Sequence, residues 1–316
     1  MKLVISVDVE EEGLFSGGYP RTPPGVSNVA QLRRLEFIPQ EFGFPLTLLV
    51  TYHVARNPAA RRVLNYWREH YRAEIGAHLH PWNTPPFSDL PETEPVPAAK
   101  LPRPLLKAKF ASLWATLQDH LGVVPSSFRM GRFDGSPQVL ALLPEFGLKV
   151  DSSMVPLTQK VGGPDFFLLP PHPFRLRPSG PSGPSLLEVP LTVVPIWAGA
   201  PGLIYRLAAA LPDPWGARVR AGFRYWGAAG IQPAWYPAAS MRTAVRLHSR
   251  RGGQVLTMFF HSSELLPGAT PHFSTEEAVN RFTDKIRTFL SWLAATGPLQ
   301  GVTLSQLGED YPEVPE

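Results

Sequence analysis

Charged and imidazole side chains stand directly after several strand-like apolar runs of this sequence. In chain order they are Asp8 and Glu10, His78 and His80, Arg129, and His261. Polar groups that end successive buried strands meet at one rim of an α/β barrel. Two carboxylates, paired imidazoles, a guanidinium and a late imidazole are the groups that a metal-assisted hydrolase uses.

The spacing within the first two pairs favours a shared site. Residues i and i+2 of an extended strand point the same way and lie about 6.5–7 Å apart. Asp8 and Glu10 could therefore divide the work of base and metal ligand, while His78 and His80 could converge on one ion at about 2.0–2.1 Å if the strand end curls inward. The alternative is that the carboxylates belong to a solvated acidic run and that the histidines are structural.

Composition limits the class of protein. The chain has 316 residues, of which 44% are hydrophobic and 18% charged, so we predict one large globular domain over residues 1–316. The net charge of +4 comes from scattered basic residues, which predicts no nucleic-acid footprint. The absence of cysteine excludes disulfides, thiolate metal sites and a cysteine nucleophile. A metal must therefore bind to nitrogen and oxygen.

Hydropathy gives an expectation about location. The amino terminus enters strand-like sequence at once, without the apolar stretch of a signal peptide. No run of about 18 apolar residues occurs, so we predict no membrane span. The expected location is cytoplasmic.

Strand and helix signals alternate along the whole chain. About seven strand signals separated by amphipathic stretches predict a parallel β/α architecture, a barrel or near-barrel. The Pro-rich stretch from residue 83 to residue 104 is too long for an ordinary connection and predicts either a functional loop over the site or a flexible excursion. The stretch from residue 203 to residue 249 is harder to interpret and has a helical character.

Five motifs in order resemble those of the polysaccharide deacetylases, the NodB-homology or carbohydrate esterase family 4 group. They are "SVDVEEE", "EIGAHLHPW", "SFRMGRF", "VDSSM" and "MFFHSSEL", and the likeness runs from about Met1 to Tyr311. The resemblance implies a distorted (β/α)7 barrel, a TIM-like α/β fold of the NodB-homology type.

The resemblance also implies roles for the first three motifs. Asp8 matches the general base, and Glu10 stands where the family has a metal-binding carboxylate. His78 matches the first metal histidine, but the position four residues later is Trp82, so His80 is the substitute ligand on geometric grounds. Arg129 matches the arginine that pairs with the base. The proline and tyrosine that follow it in the family are replaced by Gly131 and Arg132, which leaves the backbone oxyanion contact open.

The last two motifs supply the remaining catalytic groups. Asp151 stands where the family keeps an aspartate, and we expect it to orient the late histidine. His261 matches the general acid, and Ser262, Ser263 and Glu264 could hold its imidazole or a substrate hydroxyl. His53, which follows the second strand, is assigned a structural role rather than a place in the site.

These roles predict a metal-dependent hydrolase that removes N-acetyl groups from an amino sugar in a glycan, glycoconjugate or sugar precursor. One divalent ion, zinc by preference, would bind to Glu10, His78 and His80. Asp8 would take the proton of water and His261 would give one to the departing amine. Five aromatic residues could stack on the sugar or simply cover the barrel: Phe15, Tyr19, Trp82, Phe87 and Phe133.

Two rival functions stay open at this point. One is a metal-independent amide hydrolase that acts on a small nitrogenous compound, which the altered second and third motifs permit. The other is a catalytically inactive glycan-binding homologue that keeps only the fold. Metal content separates the first rival from the main prediction, and acetate release separates the second.

Overall fold

The computed structural model describes residues 1–90, 94–159, 163–212 and 214–312 as a mixed α/β fold. The predicted domain of residues 1–316 includes residues 313–316, which lie outside the described residues, and the single domain stays a prediction. The strands are β1 (Lys2–Val9), β2 (Thr47–Val50), β3 (Glu74–Leu79), β4 (Ser127–Met130), β5 (Val150–Asp151), β6 (Phe174–Leu176), β7 (Leu186–Glu188), β8 (Val193–Pro195), β9 (Ala228–Gly230), β10 (Val255–His261) and β11 (Gln300–Gly301). The α-helices are α1 (Phe37–Phe42), α2 (Tyr52–Arg56), α3 (Pro58–Tyr71), α4 (Arg103–Leu121), α5 (Pro137–Leu142), α6 (Ala200–Ala209), α7 (Trp215–Gly227), α8 (Ala238–Arg250), α9 (Glu276–Ala294) and α10 (Leu304–Asp310). Short 3₁₀ helices cover Leu14–Ser16, Ser27–Leu35, Ala98–Lys100, Gly131–Phe133, Leu143–Phe146 and Ser262–Leu265.

The main sheet is curled and almost entirely parallel. Its strands follow the order β10-β1-β2-β3-β4-β5-β7-β6, in which only the β7–β6 pair is antiparallel. Beyond β7 the chain contacts β10 through two hydrogen bonds. The Thr192 N–H donates to the Thr257 carbonyl (3.1 Å), and the Thr257 N–H donates to Thr192 Oγ1 (2.8 Å). The carboxyl ends of the parallel strands therefore face one common rim.

Strand alternation separates an outer apolar core from the interior of the curled sheet. Leu3, Ile5 and Val7 of β1 pack into the large core, whereas Val4 joins a second buried cluster with apolar residues of β2, β5, β7 and β10. Side chains at every second position share a face. Val4, Ser6, Asp8 and Glu10 thus form a column from an apolar floor to a polar rim.

The helices start where the sequence supplies caps. Asn57 Oδ1 accepts from the N–H groups of Ala59 and Ala60, and Pro58 occupies the first turn of α3, where no N–H is needed. Thr275 caps α9 through the Ala278 N–H. These caps fix the points at which the chain turns back towards the sheet.

The structure confirms the mixed α/β class but differs from the prediction in detail. The sevenfold β/α count is not confirmed: β5 and β7 are linked through β6, and no α-helix lies between them within the described residues of that stretch. The run "PLTLLVTYHV" has the pattern of one strand, yet β2 ends at Val50 and Tyr52–Arg56 is helix α2. Within the described part of the chain, no helix is long and apolar enough to cross a membrane.

Candidate metal centre

Glu10, His78 and His80 bring three ligand atoms together at the rim. His78 Nε2 and His80 Nε2 are 3.0 Å apart, and Glu10 Oε2 lies 3.6 Å from the former and 3.4 Å from the latter. All three residues are buried, and their ligand atoms lie within 4.8 Å of one another. Two ligand atoms bound tetrahedrally at about 2.0–2.1 Å from one ion are separated by about 3.3–3.4 Å. The group is therefore the right size to hold a metal ion.

Hydrogen bonds fix the tautomer of both imidazoles. His78 Nδ1 lies 2.9 Å from the Arg129 carbonyl oxygen, and His80 Nδ1 lies 2.7 Å from Glu11 Oε1. Each oxygen can only accept, so each Nδ1 carries its proton and donates it. The two Nε2 atoms then face one another, and only a proton or a metal cation can occupy the space between them. The donor set thus fits a divalent ion on its own chemistry.

Glu11 holds His80 in place. Its Oε1 also accepts from Asn83 Nδ2, its Oε2 accepts from Thr51 Oγ1 (2.7 Å), and the side chain is fully buried. A carboxylate behind a ligating histidine orients the ring and raises its basicity. Burial raises the pKa of Glu11, but His80 outweighs burial and lowers that pKa to about 2. Burial likewise lowers the pKa of His80, but Glu11 and Glu10 outweigh it and raise the pKa to about 10.

The backbone of Glu10 is fixed by residues from two other segments. Asn28 Nδ2 donates to the Glu10 carbonyl (2.8 Å) and to Ser262 Oγ (2.8 Å), and Ser262 Oγ accepts from the Glu10 N–H (3.2 Å). Burial alone raises the pKa of Glu10, but positive His261 and the adjacent imidazoles of His78 and His80 overcome it and hold that pKa well below its usual range. Glu10 therefore stays ionised and correctly placed for a cation.

Asp8 forms a buried ion pair with Arg129. Arg129 Nη1 donates to Asp8 Oδ1 at 2.5 Å, and its other nitrogens bond to Ser152 and Ser6. Asp8 Oδ2 lies 3.7 Å from His78 Nε2, on the side of the metal group. One oxygen of Asp8 is thus held by the guanidinium, while the other faces the cavity and can accept a proton.

His261 reaches the same cavity from β10. His261 Nδ1 lies 3.1 Å from Glu264 Oε1, and the ring meets Phe15 and Phe259 edge-on at 5.1 and 4.9 Å between centroids. Burial lowers the pKa of His261, but Glu10, Glu264 and Asp8 outweigh it and raise the pKa to about 9. Its imidazole is therefore protonated at neutral pH, as a general acid requires.

Asp151 has different partners from those expected. Ser153 Oγ donates to Asp151 Oδ1 (2.5 Å), and Asp151 pairs in register with Glu188 across β5 and β7. Burial raises the pKa of both carboxyls, and that of Glu188 is raised further by Asp151. Folding therefore favours a protonated form of this pair. Among the described residues, the side-chain hydrogen-bond partner of His261 is Glu264, and Asp151 does not fill the orienting role that the sequence suggested.

A cavity of about 190 Å³ opens above these groups. Trp82, four residues after His78, stacks on the His80 ring with centroids 4.3 Å apart and an interplanar angle of 24°. Its buried indole N–H has no hydrogen-bond partner within the described residues. The cavity is lined by Asp8, Glu10, Leu14, Phe15, Tyr19, His78, His80, Trp82, Arg132, Phe133 and His261.

A second, wider groove of about 380 Å³ shares Trp82 and Arg132 with this cavity. Arg132 and Phe133 both have left-handed backbone, with φ of 58° and 54°. Non-glycine residues in that region store strain, which often marks functional sites. At Gly131 a Cβ would lie 2.6 Å from His80 Cδ2, so the missing side chain lets β4 approach the metal group.

The loop of residues 83–104 forms one wall of the groove through Pro95, Val96 and Pro97. Lys109 Nζ donates to the Thr84 carbonyl (2.7 Å), and Asp134 Oδ2 accepts from the Ala98 N–H (2.7 Å). Residues 91–93 of this loop lie outside the described residues. The remainder is tied to the body of the protein at both ends.

The structure brings Asp8, Glu10, His78, His80, Arg129 and His261 to one rim, as the spacing suggested. His53 lies in α2 and bonds through Nε2 to the Asn83 carbonyl (2.9 Å), in line with its structural assignment. Phe87 contacts the cations of Arg21 and Lys109 and does not line the cavity.

Sequence reasoning missed the supporting residues Glu11, Asn28, Thr51, Asn83 and Glu188. Glu11 alone gave a signal, as an acidic residue next to a metal ligand.

Comparison with known proteins gives the fold. No protein-family model and no curated protein matches the chain. Among solved structures, it is similar to a "putative polysaccharide deacetylase" from Mycobacterium smegmatis, with a TM-score of 0.57 and 19% identity over 98% of this chain and 88% of that one. It is also similar to a 4-alpha-glucanotransferase from Thermococcus litoralis, with a TM-score of 0.52 and 11% identity, covering 98% of this chain but 40% of that one. A family 4 acetyl xylan esterase from Clostridium thermocellum, in complex with a cobalt ion, matches with a TM-score of 0.46 and 12% identity over 97% of this chain and 90% of that one, too weakly to carry an argument.

Identities this low show the fold alone. The first of these structures confirms, at the level of the fold, the likeness to polysaccharide deacetylases that the five motifs predicted.

Proposed function

We propose that this protein is a metal-dependent hydrolase that removes N-acetyl groups from an amino sugar. The observation that carries the proposal is the buried Glu10, His78 and His80 group, whose two imidazoles turn their Nε2 atoms towards one another at 3.0 Å. The deacetylase-like fold and the position of Asp8 beside that group support it. A bound divalent ion, zinc by preference, would polarise the acetyl carbonyl and acidify water.

The chain's own residues would perform the proton transfers. Asp8, paired with Arg129 through one oxygen, would accept the proton of the attacking water through its other oxygen. His261, protonated through its carboxylate neighbours, would donate a proton to the departing amine. Glu264 would hold the His261 ring through Nδ1, so that Nε2 is the atom that donates the proton to the amine.

The family that the motifs resemble has a second metal histidine where this chain has Trp82. We propose that Trp82 supports the site from that position. Its stacking on His80 holds the ring plane, and the residue lines both the cavity and the groove. The groove beside it has the room for further sugar rings, which favours a glycan or glycoconjugate substrate. A cytoplasmic location, which would favour a sugar precursor over mature cell wall, stays a prediction.

The function is tested with the full chain, stripped by a chelator and reloaded with zinc. We expect about one ion per chain, and acetate release from N-acetylglucosamine oligosaccharides that depends on it. His78→Ala and His80→Ala should each lose the ion and the activity, because two remaining protein ligands hold zinc poorly. His120→Ala, on the far end of α4, is the matched control and should keep both.

The rival functions give different results. Acetate or ammonia release that survives the chelator would support the metal-independent amide hydrolase and contradict our proposal. Sugar binding without acetate release under any metal would support the inactive glycan-binding homologue. A His78→Ala protein that keeps its metal and turnover would show that the ligand assignment is wrong.

A further inference from the structure

A helical excursion between β8 and β9 carries an unusual exposed surface. Residues 196–226, which we name the hairpin, contain α6 and α7, which pack against each other and leave the body of the protein between two paired strands. Gly216 permits the close approach, because a Cβ there would collide with the Ala208 carbonyl. Eight of its large apolar side chains are exposed: Ile196, Trp197, Leu203, Leu207, Leu211, Trp215, Tyr225 and Trp226.

The composition of the hairpin is not that of a surface in contact with water alone. Residues 196–226 contain no serine, threonine, asparagine, glutamine, lysine or glutamate; their only charged residues are four arginines and Asp213. A surface helix normally places charged and polar residues on the face opposite the core, as α9 does with Glu276, Glu277 and Asp284. In α6 and α7 that face carries tryptophan, tyrosine, leucine and arginine.

Three of the hairpin's four arginines are available to anions, and the fourth, Arg220, bonds to Gln159. Arg218 lies over the Trp215 ring at 5.1 Å, Arg224 lies over the Tyr225 ring at 5.4 Å, and Arg206 donates to the Gly202 carbonyl of its own helix. The four arginines of the hairpin are Arg206, Arg218, Arg220 and Arg224. Within the described residues, no carboxylate lies within 4 Å of any of their guanidiniums. Asp213 lies outside the described residues.

This combination matches an anionic lipid surface. Tryptophan and tyrosine prefer the boundary between headgroups and acyl chains, because their rings are apolar and their tips polar. Arginine pairs with the phosphate groups directly above that boundary. A protein partner would instead need hydrogen-bonding side chains, about one bond per 100–200 Å² of interface, and the hairpin offers few beyond arginine.

The hairpin lies on the same side of the protein as the candidate site. Tyr205 Oη donates to Asp165 Oδ2 (3.1 Å) and Arg220 bonds to Gln159, both in the segment that follows β5 and reaches the groove at Gly163. Arg224 also lies 5.0 Å over the Trp235 ring, and Trp235 meets Phe133, which lines the cavity, at 6.1 Å. A surface bound by the hairpin would therefore lie near the mouth of the site.

We propose that the hairpin is an interfacial anchor that docks the protein on an anionic membrane surface, with its aromatic side chains at the headgroup boundary and its arginines on lipid phosphates. Interfacial binding of this kind depends on buried apolar area together with attraction to anionic lipids. Docking does not depend on the proposed deacetylase activity, since it needs neither metal nor substrate. If both hold, the substrate class narrows to glycoconjugates presented at a membrane.

The test is co-sedimentation of the full chain with vesicles of phosphatidylcholine alone and of an equimolar mixture with phosphatidylglycerol. We expect binding to the anionic vesicles, a blue shift of tryptophan fluorescence, and weaker binding as salt is raised. A triple variant, Trp197→Ser with Trp215→Ser and Trp226→Ser, should bind at least about 10-fold more weakly, as should Arg206→Gln with Arg218→Gln.

Matched controls change equally exposed residues elsewhere. Val124→Ser and Arg250→Gln remove an exposed apolar group and an exposed charge outside the hairpin and should bind like the parent chain. Circular dichroism should show each variant folded, because the changed residues are exposed. The proposal is overturned if the parent chain ignores anionic vesicles, or if the hairpin variants bind as it does. It is equally overturned if light scattering shows that the parent chain is a dimer and that, among the variants, only the triple variant is a monomer. That result would make the hairpin a contact between two copies of the chain.

Discussion

Two buried acidic clusters lie at the same rim and are electrostatic opposites. Glu10 and Glu11 stand among imidazoles, and the pKa of each carboxyl is lowered. Asp151 and Glu188 stand opposite one another in register, and the pKa of each is raised. Burial raises the pKa in both clusters; the imidazoles reverse that direction in the first cluster, whereas nothing outweighs burial in the second.

The difference separates a cation site from a proton store. The first cluster keeps its charges and can exchange the proton between His78 and His80 for a metal ion. The second cluster favours a bound proton because burial disfavours both charges and Asp151 further raises the pKa of Glu188. The two clusters lie in the same fold and are equally buried. Whether a cluster keeps its charge or favours a proton depends on whether its carboxylates face histidine or another carboxylate.

The largest expected effect concerns the base beside the first cluster. Asp8→Asn should lower kcat for acetate release by about 10²–10⁴-fold, the usual contribution of a positioned general base. Metal content should stay near the parent value, since Asp8 is outside the ligand group. Steady-state kinetics with metal analysis measures both.

The control for that change addresses folding, because Arg129 would be left buried without its carboxylate partner. Thermal unfolding should show the variant folded at the assay temperature, and Asp284→Asn at an exposed site should behave like the parent chain. An Asp8→Asn protein with full activity would remove Asp8 from the mechanism.

Glu11→Gln should have the next largest effect. The neutral amide can still hydrogen-bond His80 but no longer increases its basicity, so zinc affinity should fall by about 10–100-fold. Competition titration with a zinc chelator measures the change. Unchanged affinity would show that Glu11 has only a packing role.

A smaller loss is expected from Gly131→Ala. The new Cβ would press on His80 Cδ2, and the adjacent Leu79 carbonyl, at 2.8 Å, cannot move away easily. His80 should shift, and zinc affinity should fall while His78 stays in place. Gly202→Ala is a control at a glycine that, like Gly131, lacks a positive φ but has open space around it, and it should leave the affinity unchanged.

The second cluster gives the smallest effect, on stability rather than on metal. The pKa of both Asp151 and Glu188 is raised in the folded state, so the folded protein retains a proton that the unfolded chain releases above about pH 4. The pair's contribution to stability is therefore present at low pH and lost as the pH rises through the folded pKa. Glu188→Gln removes one of the two carboxyls and should flatten that fall, by up to about 1.4 kcal/mol for every tenfold difference in proton affinity between the folded and unfolded states.

Urea unfolding across pH measures this difference. Glu11 contributes with the opposite sign, because its pKa is lowered to about 2 and its stabilisation is lost as the pH falls towards that value. Comparing Glu188→Gln with the parent chain cancels the Glu11 contribution. Parallel stability curves for the two proteins would mean that folding does not favour a protonated form of the Asp151–Glu188 pair.

The same two clusters show how far sequence could lead. Asp8, His78, Arg129 and His261 were predictable because each ends an apolar run that could only be a buried strand. His80 followed from the i, i+2 spacing. These inferences needed only local pattern and the rule that parallel strands end at one rim.

The residues that were missed depend on contacts between distant segments. The Asp151–Glu188 pair depends on the register of β5 with β7, strands of two and three residues that leave almost no periodic signal. Glu11 has the pattern of a solvated acidic run, because sequence does not reveal that the chain turns inward after β1. The start of helix α2 has the pattern of a continued strand, because "TLLVTYHV" is rich in β-forming residues, and tertiary contacts override that preference after Val50.

The most direct test of the account is anomalous diffraction from a zinc-soaked crystal of the full chain. The account predicts one strong peak at about 2.0–2.2 Å from a Glu10 carboxylate oxygen and from Nε2 of both His78 and His80. No peak at that position, or a peak held by other residues with His78 and His80 still hydrogen-bonded to each other, would contradict it.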